Sequence, residues 1–407
     1  MKITRFRKSI SGKNIVYSAD FVPRRLDLRE RVFFKVPRAY KRGDYPYDAF
    51  FVAAVPMAMA LQENLEFDAI VSETLYKRIH GIKKYINEPS SSTKITVKGT
   101  VKRKKTSFAN GLFFTLGIDS THSLISSAKF SKKNRVNYLL FMNGSHSFEV
   151  SPAVLKTVQA KIRKWGKWSS AKPIFIDTNL RKIADKIINW DYFHGAGIAA
   201  AAHLISPYVG KMYISNQDSY VTDEPAGTGP VIDKMWSNEA LSFTSLFPNS
   251  KRLDKIKEII RSKRYREYLK DIWICTEKPA SPNRLNCGVC EKCVKNTLRF
   301  IAMGAKKSDL AFFFLNKELF DTLVPQSGPT TSWEKFMKPI YDKKLLDVDM
   351  LSSIERYLKR RIRIERVKKS QERFNDFKKK VKRLLIKFEL LDEILYLKNH
   401  LRAVYTK

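Results

Sequence analysis

The chain has 407 residues, of which 43% are hydrophobic, and it carries a formal net charge of +37. This length and apolar fraction predict two or three folded domains with a hydrophobic core, and they exclude a disordered or fibrous chain. The longest apolar stretch, residues 49–61, is too short to span a bilayer and contains Pro56, and the charged N-terminus lacks the apolar core of a signal peptide. We therefore expect a soluble, cytoplasmic protein with no membrane partner.

The first region, residues 1–105, is predicted to mix strands and helices. Short strand-like runs such as NIVYSADF and RVFFKV come first. Apolar residues then recur every three or four positions in YDAFFVAAVPMAMALQENL and SETLYKRIHGIKKYI, which indicates helices. A polar stretch, NEPSSSTK, precedes one more short strand, KITVKG. The region is therefore predicted to have an α+β structure.

The second region, residues 106–305, alternates apolar strands with helical segments. The strand-like runs are GLFFTLGI, NYLLFMNG, PIFIDTN and KMYISN. Strands that are apolar on both faces and separated by helices indicate a parallel sheet with helices on either side, so we predict a Rossmann-like α/β fold. Ligands of such sheets bind at the carboxyl ends of the strands.

The third region, residues 306–407, is predicted to be helical and strongly basic. Near its end, seven apolar residues follow one another in steps of three and four and form a continuous stripe: Phe374, Phe377, Val381, Leu384, Phe388, Leu391 and Leu395. We expect this stripe to dock on its own chain, while a preceding helix and a partner are the alternatives.

Basic residues are concentrated in three places. These are residues 102–105, the segment KTVQAKIRKWGKW with Trp165 and Trp168, and residues 359–383. Basic side chains interleaved with aromatic ones are typical of nucleic-acid-binding surfaces. A solvated, lysine-rich face explains the same charge, so charge alone leaves contact with nucleic acid open.

All four cysteines of the chain fall within CTEKPASPNRLNCGVCEKC, at positions Cys275, Cys287, Cys290 and Cys293. This spacing is suited to one tetrahedral Zn²⁺, with an iron–sulfur cluster as the alternative. Gly288 would let the chain turn back so that backbone amides approach the sulfurs. Because four thiolates close the coordination shell, we predict a structural metal site.

The run GLFFTLGIDSTHSLI predicts a strand that ends at Phe114, a tight turn, and a helix that opens near Asp119. A helix N-terminus binds anions through its unpaired N–H groups and its dipole, so this point is suited to phosphate. The alternative is that Asp119 and Ser120 are ordinary helix caps.

This turn, together with the cysteine cluster further along the chain, resembles the PP-loop ATP pyrophosphatases of the adenine-nucleotide alpha-hydrolase superfamily. Within them the chain resembles 7-cyano-7-deazaguanine synthase and a group of bacterial proteins related to that enzyme. The resemblance covers residues 45–305 and includes DTNLR, WDYFHGAGIAAAA, DKMWSNE and NCGVCEKC.

The resemblance implies an enzyme that activates a carboxylate with ATP, and it implies ATP, Mg²⁺ and Zn²⁺ as cofactors. The substrate carboxylate would attack the α-phosphate, pyrophosphate would leave, and ammonia or another amine would capture the acyl-adenylate. The substrate would be a 7-deazapurine carboxylate or a macromolecule that carries a carboxyl or an amine.

Residue by residue, the resemblance implies a nucleotide-binding loop formed by Thr115, Leu116, Gly117, Ile118, Asp119 and Ser120, extended by Thr121. Asp119 would orient the loop or Mg²⁺, and backbone near Phe113 and Met142 would hold adenine. Phosphate or substrate contacts are implied for Lys234, Asn179 and Arg181, and the catalytic candidates are Asp119, Ser120 and Lys234. From their residue types, we expect His194 to be a structural hydrogen-bonder, with a substrate contact as the alternative, and Asp233 and Glu239 to be surface or capping residues.

Two departures from the family pattern bear on catalysis. The family loop has Ser-Gly-Gly where this chain has Thr115, Leu116 and Gly117, and Leu116 would be strained if its position needs a positive φ. Ser145 and His146 stand where the related group has an aspartate. The site is therefore expected to be altered in substrate or weakened in catalysis.

The added N-terminal and C-terminal regions suggest a specialised relative in a bacterial modification or anti-phage system, with a nucleic-acid or protein partner for the basic C-terminal region. One alternative is a tRNA-modifying PP-loop enzyme, which the positive charge favours. Another is a degenerate nucleotide-binding scaffold that binds nucleic acid or a partner protein.

Overall fold

The computed structural model describes residues 1–26, 29–85, 93–216, 227–279, 281–310, 315–325 and 330–387. The chain divides into two compact units, residues 1–314 and residues 315–407. The regions 1–105 and 106–305 that the sequence predicts as separate parts both lie in unit 1. In the described part of the chain, no helix is both long and apolar enough to cross a membrane.

Unit 1 contains ten strands and ten α-helices among its described residues. The strands are β1 (Lys2–Ser11), β2 (Asn14–Val22), β3 (Glu30–Pro37), β4 (Leu65–Ser72), β5 (Ile95–Val101), β6 (Asn110–Phe113), β7 (Val136–Asn143), β8 (Lys172–Thr178), β9 (Lys211–Ser215) and β10 (Ser242–Leu246). The helices are α1 (Tyr47–Ala60), α2 (Glu73–Ile79), α3 (Ile118–Ser127), α4 (Pro152–Ser169), α5 (Leu180–Ala184), α6 (Trp190–His203), α7 (Ile232–Met235), α8 (Arg252–Arg261), α9 (Tyr265–Asp271) and α10 (Glu291–Ala302).

All ten strands form one sheet in the order β10-β9-β6-β7-β8-β3-β2-β1-β4-β5. Strands β6 to β10 are mutually parallel. Numbered along the chain, these five follow the order 3-2-1-4-5 of a doubly wound Rossmann-like sheet. The predicted α/β class is therefore confirmed. The chain leaves β6 first toward β7 on one side and later reaches β9 on the other, which makes the carboxyl end of β6 the topological switch point.

The N-terminal strands extend this sheet because β3 pairs antiparallel with β8, through Phe34 opposite Thr178 and Lys35 opposite Asp177. Asn179 strengthens the junction, since its side-chain oxygen accepts from the Phe33 amide at 3.0 Å and its amide donates to the backbone of β3. Beyond β3, β2 and β1 are antiparallel, and β4 and β5 run parallel to β1. The N-terminal region therefore shares one sheet with the nucleotide-binding candidate region.

Helices α1 and α6 pack together beside this sheet. Every residue of α1 from Asp48 to Met59 is buried, which explains its apolar run with little helical periodicity. In α6, a Cβ at Gly195 would lie 1.7 Å from the carbonyl oxygen of Gly227, so only glycine fits there. The predicted helix over YDAFFVAAVPMAMALQENL ends at Ala60, because Leu65 already begins the half-buried strand β4.

Unit 2 contains α11 (Leu319–Thr322), α12 (Thr331–Asp342) and α13 (Val348–Lys387) among its described residues. Its core includes Phe320, Trp333, Phe336, Ile340 and Tyr357. These three segments of the region are helical. The side chains of the predicted apolar stripe from Phe374 to Leu395 lie outside the described part.

The Trp-rich segment of α4 is a packing cluster. Trp165 is 2% exposed and donates from its indole nitrogen to Asp271. Lys161 and Lys164 place their ammonium groups 2.8 Å and 2.9 Å from the carboxylate of Asp271. Trp165 is therefore a packing residue, and its buried ring is not exposed for stacking on nucleic-acid bases.

Candidate functional site

A cavity of about 400 Å³ opens at the carboxyl end of β6. It is lined by the turn after β6, by the segment after β7, by the first turn of α8 and by the residues around Cys275. The lining residues are Thr115, Gly117, Ile118, Asp119, Ser145, His146, Ser147, Phe148, Arg181, Trp190, Arg252, Trp273, Ile274, Cys275, Thr276, Lys292 and Asn296. The cavity is thus at the switch point, where doubly wound sheets bind their ligands.

The turn from β6 into α3 holds Leu116 at φ +61°, in the left-handed region. Such a conformation costs a leucine roughly 1–2 kcal/mol. The side chain is completely buried, and its carbonyl accepts from the Trp273 amide at 3.1 Å, so packing and a hydrogen bond hold the turn in place. The position has the backbone geometry that favours glycine, and this chain adopts it with leucine.

The hydroxyl of Ser120 makes two hydrogen bonds within the turn. It accepts from the Thr115 amide at 3.3 Å and donates to the Gly117 carbonyl at 3.2 Å. Gly117 is the N-cap of α3, so the first amides of this ten-residue helix begin at the cavity. The buried Thr121 donates its amide to the Gly117 carbonyl at 3.0 Å and does not line the cavity.

Asp119 is held between two cations of α8. One carboxylate oxygen lies 2.9 Å from Arg252 and the other 3.0 Å from the ammonium of Lys255. Lys255 is 1% exposed and also donates to the carbonyl of Asn216, just after β9. The carboxylate is thereby neutralised, and it ties α3 to α8 and to the end of β9.

The cavity lining is cationic. Among the described residues that line it, Asp119 is the single carboxylate, whereas Arg181, Arg252 and Lys292 contribute three positive charges. Desolvation and the neighbouring charge of Arg252 lower the pKa of Lys292. Cations that face one another in this way favour an anionic ligand.

Arg181 is fixed in place by three contacts. Its guanidinium donates to the Ser145 carbonyl at 2.7 Å, pairs with Asp185 at 3.1 Å and lies 4.5 Å above the centre of the Trp190 ring. Little conformational entropy remains to be lost when such a side chain meets a ligand. Arg181 therefore lines the cavity in a fixed position, and its contact with phosphate or substrate stays a prediction.

His146 stacks on Trp273, with ring centres 4.3 Å apart and planes 13° from parallel. Burial and the nearby charges of Arg181 and Lys292 lower the pKa of His146 to about 4, so the ring is neutral at pH 7. Its buried Nδ1 has no hydrogen-bond partner within the described ranges. The imidazole therefore has polar capacity that a ligand can use.

The four cysteines converge in space. Their sulfurs lie within 4.8 Å of one another, with Cys275 and Cys290 3.8 Å apart and Cys287 and Cys293 3.9 Å apart. Sulfurs bound to one tetrahedral zinc ion at the usual bond length are ~3.8 Å apart, whereas a disulfide needs ~2.05 Å. The cluster can therefore hold a metal ion such as zinc.

The local backbone supports this role. Gly288 has φ +78°, which permits the turn between the second and third cysteines. Backbone amides approach two sulfurs, from Glu277 to Cys275 at 3.3 Å and from Cys290 to Cys287 at 3.2 Å. Such N–H groups stabilise thiolates and orient them toward a metal.

The cysteine cluster also builds one wall of the cavity. The buried Asn286 accepts from the amides of Ile274 and Cys275 and donates to the carbonyl of Ile272 at 2.7 Å. It thereby fixes the strand-like segment that carries Trp273. A metal bound here would hold this wall against the turn at Leu116.

Seven predicted nucleotide-site residues do not line the cavity: Leu116, Ser120 and Thr121 belong to the turn and helix start described above, and the other four are Phe113, Met142, Asn179 and Lys234. Phe113 and Met142 are buried in the core beneath the strand ends, and the Met142 carbonyl accepts from the Ser145 hydroxyl. Asn179 uses its side chain to bind β3. Lys234 lies exposed on α7. The structure brings Thr115, Gly117, Ile118, Asp119 and Arg181 together instead.

Three further motif residues have structural contacts. His194 meets the Trp190 carbonyl and the Thr228 hydroxyl. Asp233, fully buried, accepts from the Gly229 amide and the Ser245 hydroxyl, and burial raises its pKa to about 7. Glu239 accepts from the Ser72 hydroxyl and the Thr74 amide at the start of α2.

Four residues of the site were not predicted from the sequence: Arg252, Lys255, Trp273 and Lys292. Lys255 sits in the amphipathic run RLDKIKEII, where a lysine gives no sign that it is buried. Lys292 does have a sequence signal, because it stands between two metal-ligand candidates in CEKC.

Comparisons of the chain with protein-family models, with curated proteins and with solved structures gave no match.

Proposed function

We propose that unit 1 is an ATP-dependent enzyme of the PP-loop type that activates a carboxylate as an acyl-adenylate. The observation that carries the proposal is the cationic cavity at the switch point of the 3-2-1-4-5 sheet, entered by the N-terminus of α3. A triphosphate is the common cellular ligand whose charge and length suit such a site.

The polyphosphate would lie between the first turn of α3 and the cations of the opposite walls. Helix amides would donate to its oxygens, and Arg252 and Lys292 would balance its charge. Asp119 already pairs with two cations, so its proposed role is to orient the loop. A magnesium ion brought with ATP would offset the remaining phosphate charge.

In the proposed reaction, a carboxylate oxygen of the substrate attacks the α-phosphorus and the bond to the bridging oxygen of pyrophosphate breaks. An amine then attacks the acyl carbon, loses a proton, and AMP leaves. Charge develops on the pyrophosphate as it departs, and the fixed cations stabilise it there. The neutral ring of His146 would offer a hydrogen bond to the substrate.

Zinc has a structural part in this proposal. Cys275, Cys287, Cys290 and Cys293 would hold it in a closed shell, with no position left for substrate. The same arrangement disfavours the sulfur-transfer version of a tRNA-modifying enzyme, because all four cysteines of the chain are in the cluster.

One observation favours a second candidate function, a nucleotide-binding scaffold that does not cleave ATP. Leu116 puts a side chain at a left-handed position where glycine would let the backbone approach pyrophosphate without strain.

The test is to incubate the full-length protein with Mg²⁺, ATP and 7-carboxy-7-deazaguanine and to quantify AMP and pyrophosphate. Equal amounts of both, reduced at least ~10-fold in Arg252→Gln, are expected, because that variant removes one of the proposed phosphate contacts. Lys257→Gln, an exposed charge on the same helix, is the matched control and should keep full activity.

A calorimetric titration with a non-hydrolysable ATP analogue separates the outcomes. Binding without AMP formation would support the scaffold, and absence of binding would overturn both candidates.

A further inference from the structure

A stripe of basic residues runs along α13 in unit 2. We call Arg356, Lys359, Arg363 and Arg366 the basic stripe; all four are exposed. Their spacing of three, four and three residues places them on one face of a helix. Ile354, Tyr357 and Arg361 are buried on the opposite face, against the rest of the unit.

Three members of the stripe are uncommitted. Arg356 donates to the Ser353 hydroxyl and lies 3.9 Å from Asp321. Within the described part of the chain, Lys359, Arg363 and Arg366 have no ion-pair or hydrogen-bond partner.

Two acidic residues that are close to the stripe in sequence are engaged elsewhere. Glu355 accepts from the hydroxyl of Tyr341, and Glu365 accepts from the amide and the hydroxyl of Thr330. Arg360, by contrast with the stripe, is used internally, because it donates to the carbonyls of Phe320 and Leu323 at the end of α11. Among the described basic residues of α13 from 356 to 366, those without a partner therefore lie on the outward face.

We propose that the basic stripe binds the sugar–phosphate backbone of nucleic acid. From Arg356 to Arg366 the helix rises ~15 Å, and a duplex presents one negative charge per ~1.7 Å of its axis. Three of the four residues are arginine, whose planar guanidinium matches phosphate oxygens in pairs. The excess of basic residues continues in the sequence beyond the stripe, with nine Lys or Arg and two acidic residues from 368 to 387.

Charge and burial favour nucleic acid over a membrane or a protein as the ligand of the basic stripe. An interfacial membrane helix needs a continuous apolar face for the lipid. In this part of α13, Ile354 and Tyr357 are buried in their own unit, and the exposed Ile362 and Val367 are five residues apart and so do not form one face. A protein interface would be expected to centre on exposed aromatic residues, and the stripe has none. The binding is thus expected to be independent of base sequence.

The test uses the full-length protein and a fluorescein-labelled random-sequence 20-base-pair DNA duplex, followed by anisotropy over a series of KCl concentrations. The variant Lys359→Glu/Arg363→Glu/Arg366→Glu should bind at least ~10-fold more weakly at low salt, and its plot of log affinity against log salt should be flatter by roughly 3. The control Lys257→Glu/Arg261→Glu/Lys270→Glu changes net charge equally at exposed residues of unit 1 and should bind within twofold of the unaltered protein.

The same two variants are mixed with phosphatidylserine vesicles. Equal DNA binding by the stripe variant and the unaltered protein would overturn the proposal, as would an equal loss in the control or binding to vesicles alone. ATP turnover is measured in parallel, so that a failure of the site in unit 1 is not confused with a failure of the stripe.

Discussion

The cavity in unit 1 and the basic stripe in unit 2 hold positive charge in two different ways. At the cavity, Arg181 is fixed by a carbonyl, a carboxylate and an aromatic ring, and Arg252 is fixed by Asp119. On the stripe, Lys359 and Arg363 extend into solvent. Fixed cations select a compact ligand of defined shape, because the geometry is set before binding. Mobile, exposed cations suit a long polyanion and lose their effect as salt rises.

Disrupting the metal site should produce the largest loss of stability. The loss should be confined to unit 1, which contains the cavity. Cys290→Ser should abolish zinc binding and reduce the free energy of unfolding of unit 1 by roughly 3 kcal/mol or more, because metal affinity is folding free energy. Metal content by mass spectrometry and calorimetric unfolding measure the two effects. Val289→Ser, an exposed position in the same turn, is the control and should keep the metal.

Loss of the metal is predicted to weaken ligand binding at the cavity but not at the basic stripe. ATP-analogue binding should fall with the metal, since Trp273 and Cys275 form a wall of the cavity. DNA binding by the stripe should persist in Cys290→Ser. If zinc loss left ATP binding intact, the cluster would not support the cavity.

Breaking the ion pairs of Asp119 with Arg252 and Lys255 should have the next largest effect on stability. Asp119→Asn leaves the buried ammonium of Lys255 without its carboxylate and should cost roughly 3 kcal/mol of stability in urea unfolding. The double variant Asp119→Asn/Lys255→Met should recover part of that loss, because it removes the unpaired charge as well. Asp185→Asn breaks a more exposed pair with Arg181 and should cost less than ~1 kcal/mol.

An absence of recovery in the double variant would show that the two groups act independently. A cost for Asp119→Asn no larger than that for Asp185→Asn would contradict a fixed cation arrangement at the cavity.

Features that depend on a local stretch of sequence could be predicted, whereas features that depend on long-range contacts could not. The strands β6 to β9 and the metal ligands are visible as local patterns: continuous apolar runs and a cysteine spacing. The pairing of β3 with β8 rests on two residue pairs whose members are far apart in sequence. A local sequence pattern therefore could not predict it. β10, with the sequence SFTSL, is too short and too polar to be recognised alone.

Site residues follow the same rule. Thr115 to Asp119 could be placed at the cavity because one strand and one helix determine their position. Arg252 and Lys255 come from α8, and their approach to Asp119 depends on how that helix packs against α3. Asn179 looked suited to a ligand contact, but the chain uses its amide to satisfy the backbone of β3.

His146 should make the stability of unit 1 depend on pH by a smaller amount. Its pKa is about 4 in the folded protein and ~6.5 in an unfolded chain. The unfolded state therefore binds more protons between these values, and the stabilising contribution of the neutral ring, present above pH 6.5, is lost as the pH falls toward 4.

The measurement is the unfolding temperature of His146→Gln and of the unaltered protein at pH 7.5 and pH 5. The unaltered protein should lose about 2 kcal/mol more than the variant on acidification. The exposed residue His80, changed to Gln, is the control and should follow the unaltered protein. Asp233, whose pKa is raised to about 7 by burial, contributes with the opposite sign in every variant and cancels in the difference. Parallel pH curves would contradict a buried neutral imidazole.

Reversing the charge of the basic stripe should have the smallest effect on stability. Reversing Lys359, Arg363 and Arg366 breaks no ion pair among the described residues, so the unfolding temperature should change by the equivalent of less than ~0.5 kcal/mol. Raising the salt concentration should narrow even that difference, because exposed charges are screened within about 10 Å at 0.1 M. A loss of several degrees would mean that the stripe is packed against its own chain, and its charge would then be structural, as it is at the cavity.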